Sequence, residues 1–383
     1  MLDSSLLFPD LPAWQNAASY SPSMAQVLRQ AYRHLRSTPQ RLDAFARVHH
    51  LLFAHLDDLM SARQRMHAYF LLGTACLAVD ECCLALEYFG EALEIATLGL
   101  QDAAASAHLA YLHATAHIAR MDYAAAADDL RDTLDILRAL GADAGPHLPV
   151  FELTVLGLMA MAQFVLADYD MAARFLSDAE PLLVFRKQNI AGAGTVAWMW
   201  ALLRRWQGLA PEALQHALVA TGFYAAADAP NSYGRIQAVS AEIMLDQAEY
   251  FDSGDAHYAY LEMAAPYIQR ALALARESHD PMGECLALLA RTRLSRLQRQ
   301  NEDRRLALGR IITIGERAGD GPLQAQALTA LGHEAASRGE ISSALACYRQ
   351  AIKMASESKT PALGRWAERE ILRFHESNPY TPS

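Results

Sequence analysis

YFLLGTACLAVDECCLALEYFGEAL, residues 69–93, carries two apolar stripes at helical spacing joined by a polar turn at Asp80 and Glu81. Leu72 and Gly73 lie in the first stripe and Ala85, Phe89 and Ala92 in the second. An echo returns at residues 328–352, LTALGHEAASRGEISSALACYRQAI, with Leu331, Gly332, Ala344, Tyr348 and Ala351 at the same offsets. A pattern that recurs so far along a chain reads as a repeated helical hairpin.

Working outward from Ala85, the small residue forms a ladder: Ala44, Ala85, Ala126, Ala172, Ala213, Ala264, Arg304 and Ala344, in steps of 41, 41, 46, 41, 51, 40 and 40. Four positions after each anchor stand Val48, Phe89, Leu130, Leu176, Ala217, Ile268, Leu308 and Tyr348. Seven after come Leu51, Ala92, Thr133, Ala179, Ala220, Ala271, Ile311 and Ala351. A small residue where two helices cross lets the backbones approach, and the bulky residue one turn later fills the gap between hairpins. From Ser23 onward apolar residues recur at three and four and strand alternation scarcely occurs, which predicts an all-α fold.

These residues resemble the tetratricopeptide repeat family, which places Leu-Gly in the first helix of each hairpin (helix A) and Ala, Phe and Ala in the second (helix B). The resemblance spans roughly residues 25 to 356. Met121-Asp122-Tyr123 and Ala167-Asp168-Tyr169 are similar to the Gly-Asp-Tyr turn before helix B, and Gly208 stands at the same place. The period is near 40 rather than the family's roughly 34, as in bacterial signalling regulators that carry such arrays. The resemblance implies a right-handed superhelical solenoid of about eight hairpins. Residues 23–358 form that array, after an irregular arm at 1–22 broken by Pro9, Pro12 and Pro22. Residues 360–376 form a capping helix and 377–383 a tail. Gly145-Pro146, Asp280-Pro281, Gly321-Pro322 and Thr360-Pro361 fall where one hairpin ends and the next begins. The insertion YFDSGDAHY, residues 250–258, predicts a lengthened loop inside the sixth unit.

The 383 residues are 52% apolar and 20% charged, a globular composition. A formal charge of −10 argues against binding to phosphate backbones or anionic lipid by the molecule as a whole. The five cysteines, Cys76, Cys82, Cys83, Cys285 and Cys347, read as small core residues of a reducing compartment. The N-terminus MLDSSLLFPDLPAW lacks the regions of a secretory signal, and no unbroken apolar run long enough to span a membrane is seen, so the expected location is the cytoplasm.

No motif for nucleotide, phosphate or hydrolytic chemistry occurs, and Gly332-His333-Glu334 lacks the second histidine of a zinc protease. His113 and His117, four apart on a helix, could share a metal, but the repeat register turns them toward helix B and no third ligand is evident. No cofactor or metal is expected. Arg291, Arg293, Arg296, Arg299, Arg304, Arg305 and Arg310 crowd the seventh hairpin. They read as a solvated face paired with Glu302 and Asp303, or as a site for an acidic segment or nucleic acid.

The family's concave groove is lined by helix A residues. Carried over by register, that groove comprises Arg29, Arg33, His67, Phe70, Thr74, His108, Tyr111, Thr115, Met161, Phe164, Trp198, Arg205, Arg293, Arg296 and His333. Thr154, Leu202, Gln326 and Thr329 share the stripe, and Arg235 and Glu242 join if the sixth helix keeps register. The asparagine clamps that grip peptide backbones in this family are missing here. The expected function is a non-enzymatic scaffold or sensor that binds an acidic or apolar peptide or protein segment, without membrane or nucleic acid, and with a homodimer left open. The alternatives are a small-molecule or catalytic chamber using His67, His108 and Arg205, and an oligomeric spacer.

Overall fold

A computed structural model describes residues 30–31, 41–53, 61–79, 81–141, 147–300, 304–318 and 321–377. The arm at 1–22, Arg29, Arg33, Glu302, Asp303 and residues 378–383 lie outside these. Among the described residues there are sixteen α-helices and no strand. They are α1 (Arg41–Phe53), α2 (Ala62–Ala78), α3 (Cys82–Glu94), α4 (Ala103–Ala119), α5 (Tyr123–Leu140), α6 (Leu148–Val165), α7 (Tyr169–Ala179) and α8 (Ile190–Trp206). There follow α9 (Ala210–Ala226), α10 (Pro230–Phe251), α11 (Asp255–Glu277), α12 (Pro281–Leu297), α13 (Arg304–Ala318), α14 (Gly321–Ser337), α15 (Ile341–Glu357) and α16 (Pro361–Ser377). Even-numbered helices occupy the A position of a hairpin and odd-numbered ones the B position. The chain divides into two compact units, Leu2–Val155 and Leu156–Ser383.

Local chemistry fixes where helices start. Ser61 accepts from the Gln64 amide while the Gln64 side chain accepts from the Ser61 amide, a capping box on α2. Asp102, Asp122, Asp168 and Asn189 cap α4, α5, α7 and α8 by accepting amides of the first turn. Pro230, Pro281 and Pro361 open α10, α12 and α16, where the missing N–H costs nothing.

The A-to-B turns share one backbone shape. Met121, Ala167 and Gly208 all have positive φ, at 62°, 63° and 78°. The Met-Asp-Tyr and Ala-Asp-Tyr sequences thus make a turn that glycine makes more cheaply. The insertion at 250–258 is absorbed differently from the expected loop. It lengthens α10 to 22 and α11 to 23 residues, and only Asp252–Gly254 separates them. Asp252 (φ 55°) and Gly254 (φ 86°) supply the left-handed turn, and His257 Nδ1 lies 2.8 Å from the Ala248 carbonyl across it.

The anchors Ala85, Ala126, Ala172, Ala213, Ala264 and Ala344 are all wholly buried. A packs against B within the hairpins α2–α3, α4–α5, α8–α9, α10–α11, α12–α13 and α14–α15, and against the preceding B at α1–α2, α3–α4, α7–α8, α9–α10, α11–α12 and α13–α14. In the second unit, A also meets A, as α10 does α12 and α12 does α14. Glycine marks the closest approaches. A Cβ on Gly73 would stand 2.7 Å from the Phe89 ring, and one on Gly194 2.9 Å from the Tyr224 ring. Gly332 is pressed against Tyr348 in the same manner.

The helix α6, LPVFELTVLGLMAMAQFV, is among the described residues the one long and apolar enough to cross a membrane by length and composition. Glu152 and Gln163 interrupt it, and over half of it is buried in the fold, as core helices are. At the other end, α16 packs on α14 and α15. It also reaches back 198 residues, where Arg365 donates to the Ala167 carbonyl at 3.2 Å.

Two substitutions in the first unit separate packing from backbone conformation. Gly73→Ala overfills the α2–α3 crossing and is expected to destabilise by about 1–3 kcal/mol. Met121→Gly relieves a left-handed turn and is expected to stabilise by about 0.5–1 kcal/mol. Urea denaturation checks both; equal effects of the same sign would contradict the crossing and turn assignments.

Candidate functional site

In the unit Leu2–Val155 the groove candidates come together as an aromatic box. His108 stands 6.0 Å from Phe70, 6.1 Å from Tyr111 and 5.8 Å from Phe151 between ring centroids, and Tyr111 meets Phe151 edge-on at 5.1 Å. Phe70, Tyr111 and His108 are all buried. Thr74 and Thr115 are buried too, with their hydroxyls donating to the Phe70 and Leu112 carbonyls of their own helices. His67 is less covered. Phe151 was not singled out from the sequence, because α6 is apolar all round and its period does not reveal a face.

Burial lowers the His108 pKa to about 4. Burial, followed by Arg63, lowers that of His67 to about 4 against the pull of Asp102. Both imidazoles are therefore neutral in the fold at neutral pH.

His113 and His117, on α4, meet an aspartate of α5. His113 Nδ1 lies 2.8 Å from Asp129 Oδ2, and His117 Nε2 lies 3.8 Å from the same oxygen. Asp129 stands three residues after the Ala126 anchor and so returns to the same hairpin face. That offset is the signal by which it could have been found.

In the unit Leu156–Ser383 the inner stripe of α8 carries Trp198, Leu202 and Arg205, at i, i+4 and i+7. Trp198 packs edge-on against Tyr224 at 6.0 Å, and among the described residues its buried Nε1 has no hydrogen-bond partner. Met161 and Phe164 are half-buried on α6. Phe164 touches Tyr169 edge-on at 5.3 Å, and Tyr169 stacks on Trp206 at 4.4 Å. Arg369 of α16 lies over the other side of this pair, 3.4 Å from the Trp206 ring centroid. His333 sits apart, edge-on to Tyr348 at 5.7 Å in the hairpin α14–α15.

Arg205 begins a ladder of charges across α8, α10 and α12. Its Nε donates to Asp246 at 2.6 Å and its Nη2 to Glu242 at 3.0 Å. Arg293 donates to Glu242, Asp246 and Glu249, each at 2.7 Å, and Arg296 donates to Glu249 at 2.5 Å. The three guanidiniums balance the three carboxylates. Burial pushes the Asp246 carboxyl up, but Arg205 and Arg293 more than offset this and bring it down to about 2. Likewise burial opposes charging of Glu249, and Arg293 overcomes it.

The arginine-rich stretch therefore faces inward in part; the expected partners Glu302 and Asp303 lie outside the described residues, and other arginines of the stretch pair with the next hairpin and within their own. Arg304 meets Glu334 at 3.2 Å, and Arg310 holds Glu284 by two bonds of 2.9 and 3.0 Å. Arg235 grips Asp280 bidentately at 2.8 and 2.7 Å, joining α10 to the start of α12.

The signs of two pH effects follow. A histidine that titrates near 6.5 when unfolded but near 4 when folded gives stability that is complete above pH 6.5 and lost as pH falls toward 4. Melting of wild type minus His108→Gln should accordingly fall over that window; a flat difference would contradict the burial of a neutral imidazole. Asp246 is depressed, so its contribution is complete above its ordinary 3.8 and lost as pH falls toward about 2. Asp246→Asn should cost about 3 kcal/mol in urea at neutral pH, because it leaves buried guanidiniums underpaired, and a loss under about 0.5 kcal/mol, the size of an ordinary surface change, would count against the ladder.

No protein-family model matches the chain, and no curated protein matches it in sequence. Solved structures do match. The apo form of the quorum sensor NprR from B. thuringiensis aligns with a TM-score of 0.62 and 13% identity over 86% of this chain and 87% of that one. The Rap conjugation gene regulator of the plasmid pLS20, in complex with the Phr* peptide, gives 0.60 and 11% over 94% and 98%. A Rap protein complexed with Competence and Sporulation Factor gives 0.56 and 11% over 93% and 99%. At such identities the likeness concerns the fold, and the chain has the all-α, tandem-hairpin fold of tetratricopeptide type shared by these Rap and NprR regulators.

Proposed function

We propose that the chain is a non-enzymatic cytoplasmic regulator that binds a short extended peptide along its inner helices and transmits the bound state to a protein partner. The observation that carries this reading is the ladder on α8, α10 and α12, set beside Trp198 and Leu202 on the same stripe of α8. Such a combination of apolar wall and convergent polar groups suits a ligand with both characters. Two solved structures of the same fold are complexes with Competence and Sporulation Factor and with the Phr* peptide, which supports the peptide class.

The charge arrangement refines the ligand. Asp246 and Glu249 are 29% and 31% exposed, whereas Arg205 and Arg293 are 10% and 16% exposed. Glu242 is 19% and Arg296 28% exposed, so Asp246, Glu249 and Arg296 stand outermost, two acids to one base, and all three guanidiniums are already engaged. A segment with an apolar or aromatic side chain and a basic group fits this surface better than an acidic one. An acidic segment would have to displace internal carboxylates that hold three helices together.

Fluorescence anisotropy with a library of short labelled synthetic peptides tests the proposal. Binders should be enriched in aliphatic, aromatic and basic residues. Glu249→Gln and Trp198→Ala should each weaken a binder by about tenfold or more, equivalent to 1.4 kcal/mol. Binders that are acidic, or that are indifferent to both variants, would overturn it.

A further inference from the structure

We propose that His113, His117 and Asp129 form a binding site for one divalent transition metal ion of the zinc type, joining α4 to α5. The three candidate ligand atoms, His113 Nδ1, His117 Nε2 and an Asp129 carboxylate oxygen, all lie within 4.8 Å of one another, and among the described residues they are the group so placed. Two imidazoles and one carboxylate are a ligand set that zinc takes, with a fourth position left to water.

Two of the three ligand-to-ligand distances are near those of a loaded site. Tetrahedral ligands about 2.0–2.1 Å from zinc stand about 3.3 Å from each other. The His113–Asp129 pair at 2.8 Å must open slightly, while His117 must close on Asp129 from 3.8 Å and on His113 from up to 4.8 Å. Side-chain rotation supplies both, because the backbones are fixed by the hairpin. The two rings already stand edge-to-face with centroids 4.8 Å apart. All three side chains keep about a fifth of their surface exposed, at 22%, 16% and 21%, which leaves an entry path.

Neighbouring charges divide. Asp122, which caps α5 through the Ala125 amide, lies on the side of His117 and favours a cation; Arg120 opposes it. The His113–Asp129 contact is made without metal, so the distinguishing quantity is metal binding itself. Nothing in this site draws on the ladder of the other unit, so it stands apart from the proposed peptide surface.

The test uses the full chain stripped with a chelator, then titrated with zinc chloride by calorimetry and with cobalt chloride by visible absorption. One equivalent of zinc should bind, and cobalt should develop the d–d bands of nitrogen and oxygen coordination. Asp129→Asn and His117→Ala, each checked for helix content by circular dichroism, should weaken zinc binding at least about tenfold. Zinc should also raise the melting temperature of wild type and not of either variant. Absence of stoichiometric zinc binding in wild type, or binding retained in both folded variants, would overturn the site.

Discussion

The closest approach of helix to helix sets the terms for everything else in this molecule. Where Gly73 faces Phe89, Gly194 faces Tyr224 and Gly332 faces Tyr348, an aromatic ring occupies the volume that a β-carbon would need. The ring fills the crossing and the glycine lets it in, so neither is useful alone. Each such pair fixes one A helix on one B helix, and the small anchors from Ala85 to Ala344 extend the contact along the B helix. Since a hairpin buries only one face of itself, the remaining apolar faces of the helices commit each hairpin to its neighbours.

That arrangement leaves the inner stripe of the A helices with a problem of charge. Arg205, Glu242, Asp246, Glu249, Arg293 and Arg296 lie on neighbouring helices at partial burial, where an unpaired ion costs several kcal/mol. Interdigitation resolves it: every guanidinium touches at least one carboxylate and Arg293 touches three. The result is electrically neutral yet polar, with Asp246, Glu249 and Arg296 the most exposed of the six. A surface of this kind discriminates among ligands by the placement of charge rather than by net field.

The hairpins were legible in the sequence because their determinants are local. Leu-Gly, the small anchor and the bulky residue four later all act within one repeat, and Asp122 and Asp168 cap the helix that follows them. The ladder was not legible from composition, since seven arginines in the seventh hairpin look like a solvated face. Its signal lies at the repeat distance. Arg205 pairs with Asp246 41 residues on, and Arg293 with Glu249 and Glu242 at separations of 44 and 51. Complementary charges spaced by one repeat mark neighbouring A helices in an array whose A helices adjoin. The aromatic box eluded the sequence for a different reason, in that Phe70, His108 and Tyr111 stand at groove positions of the register but are covered by one another and by Phe151.

The contact made by α16 obeys no period at all. Arg365 and Arg369 reach the turn after α6 and the end of α8, so that consecutive residues of α8 serve two joints: Arg205 the ladder, and Trp206 the stack beneath Arg369. The magnitudes separate them. A guanidinium over an exposed aromatic face contributes about 0.5–1 kcal/mol, and the Arg365 bond adds about 1 kcal/mol. The ladder holds Arg205 and Arg293 by two or more charge-assisted bonds each and Arg296 by one, each bond about twice as strong as a neutral one. When both joints are strained, the one at α16 therefore opens first, and the inner stripe of α8, α10 and α12 keeps its geometry while it does.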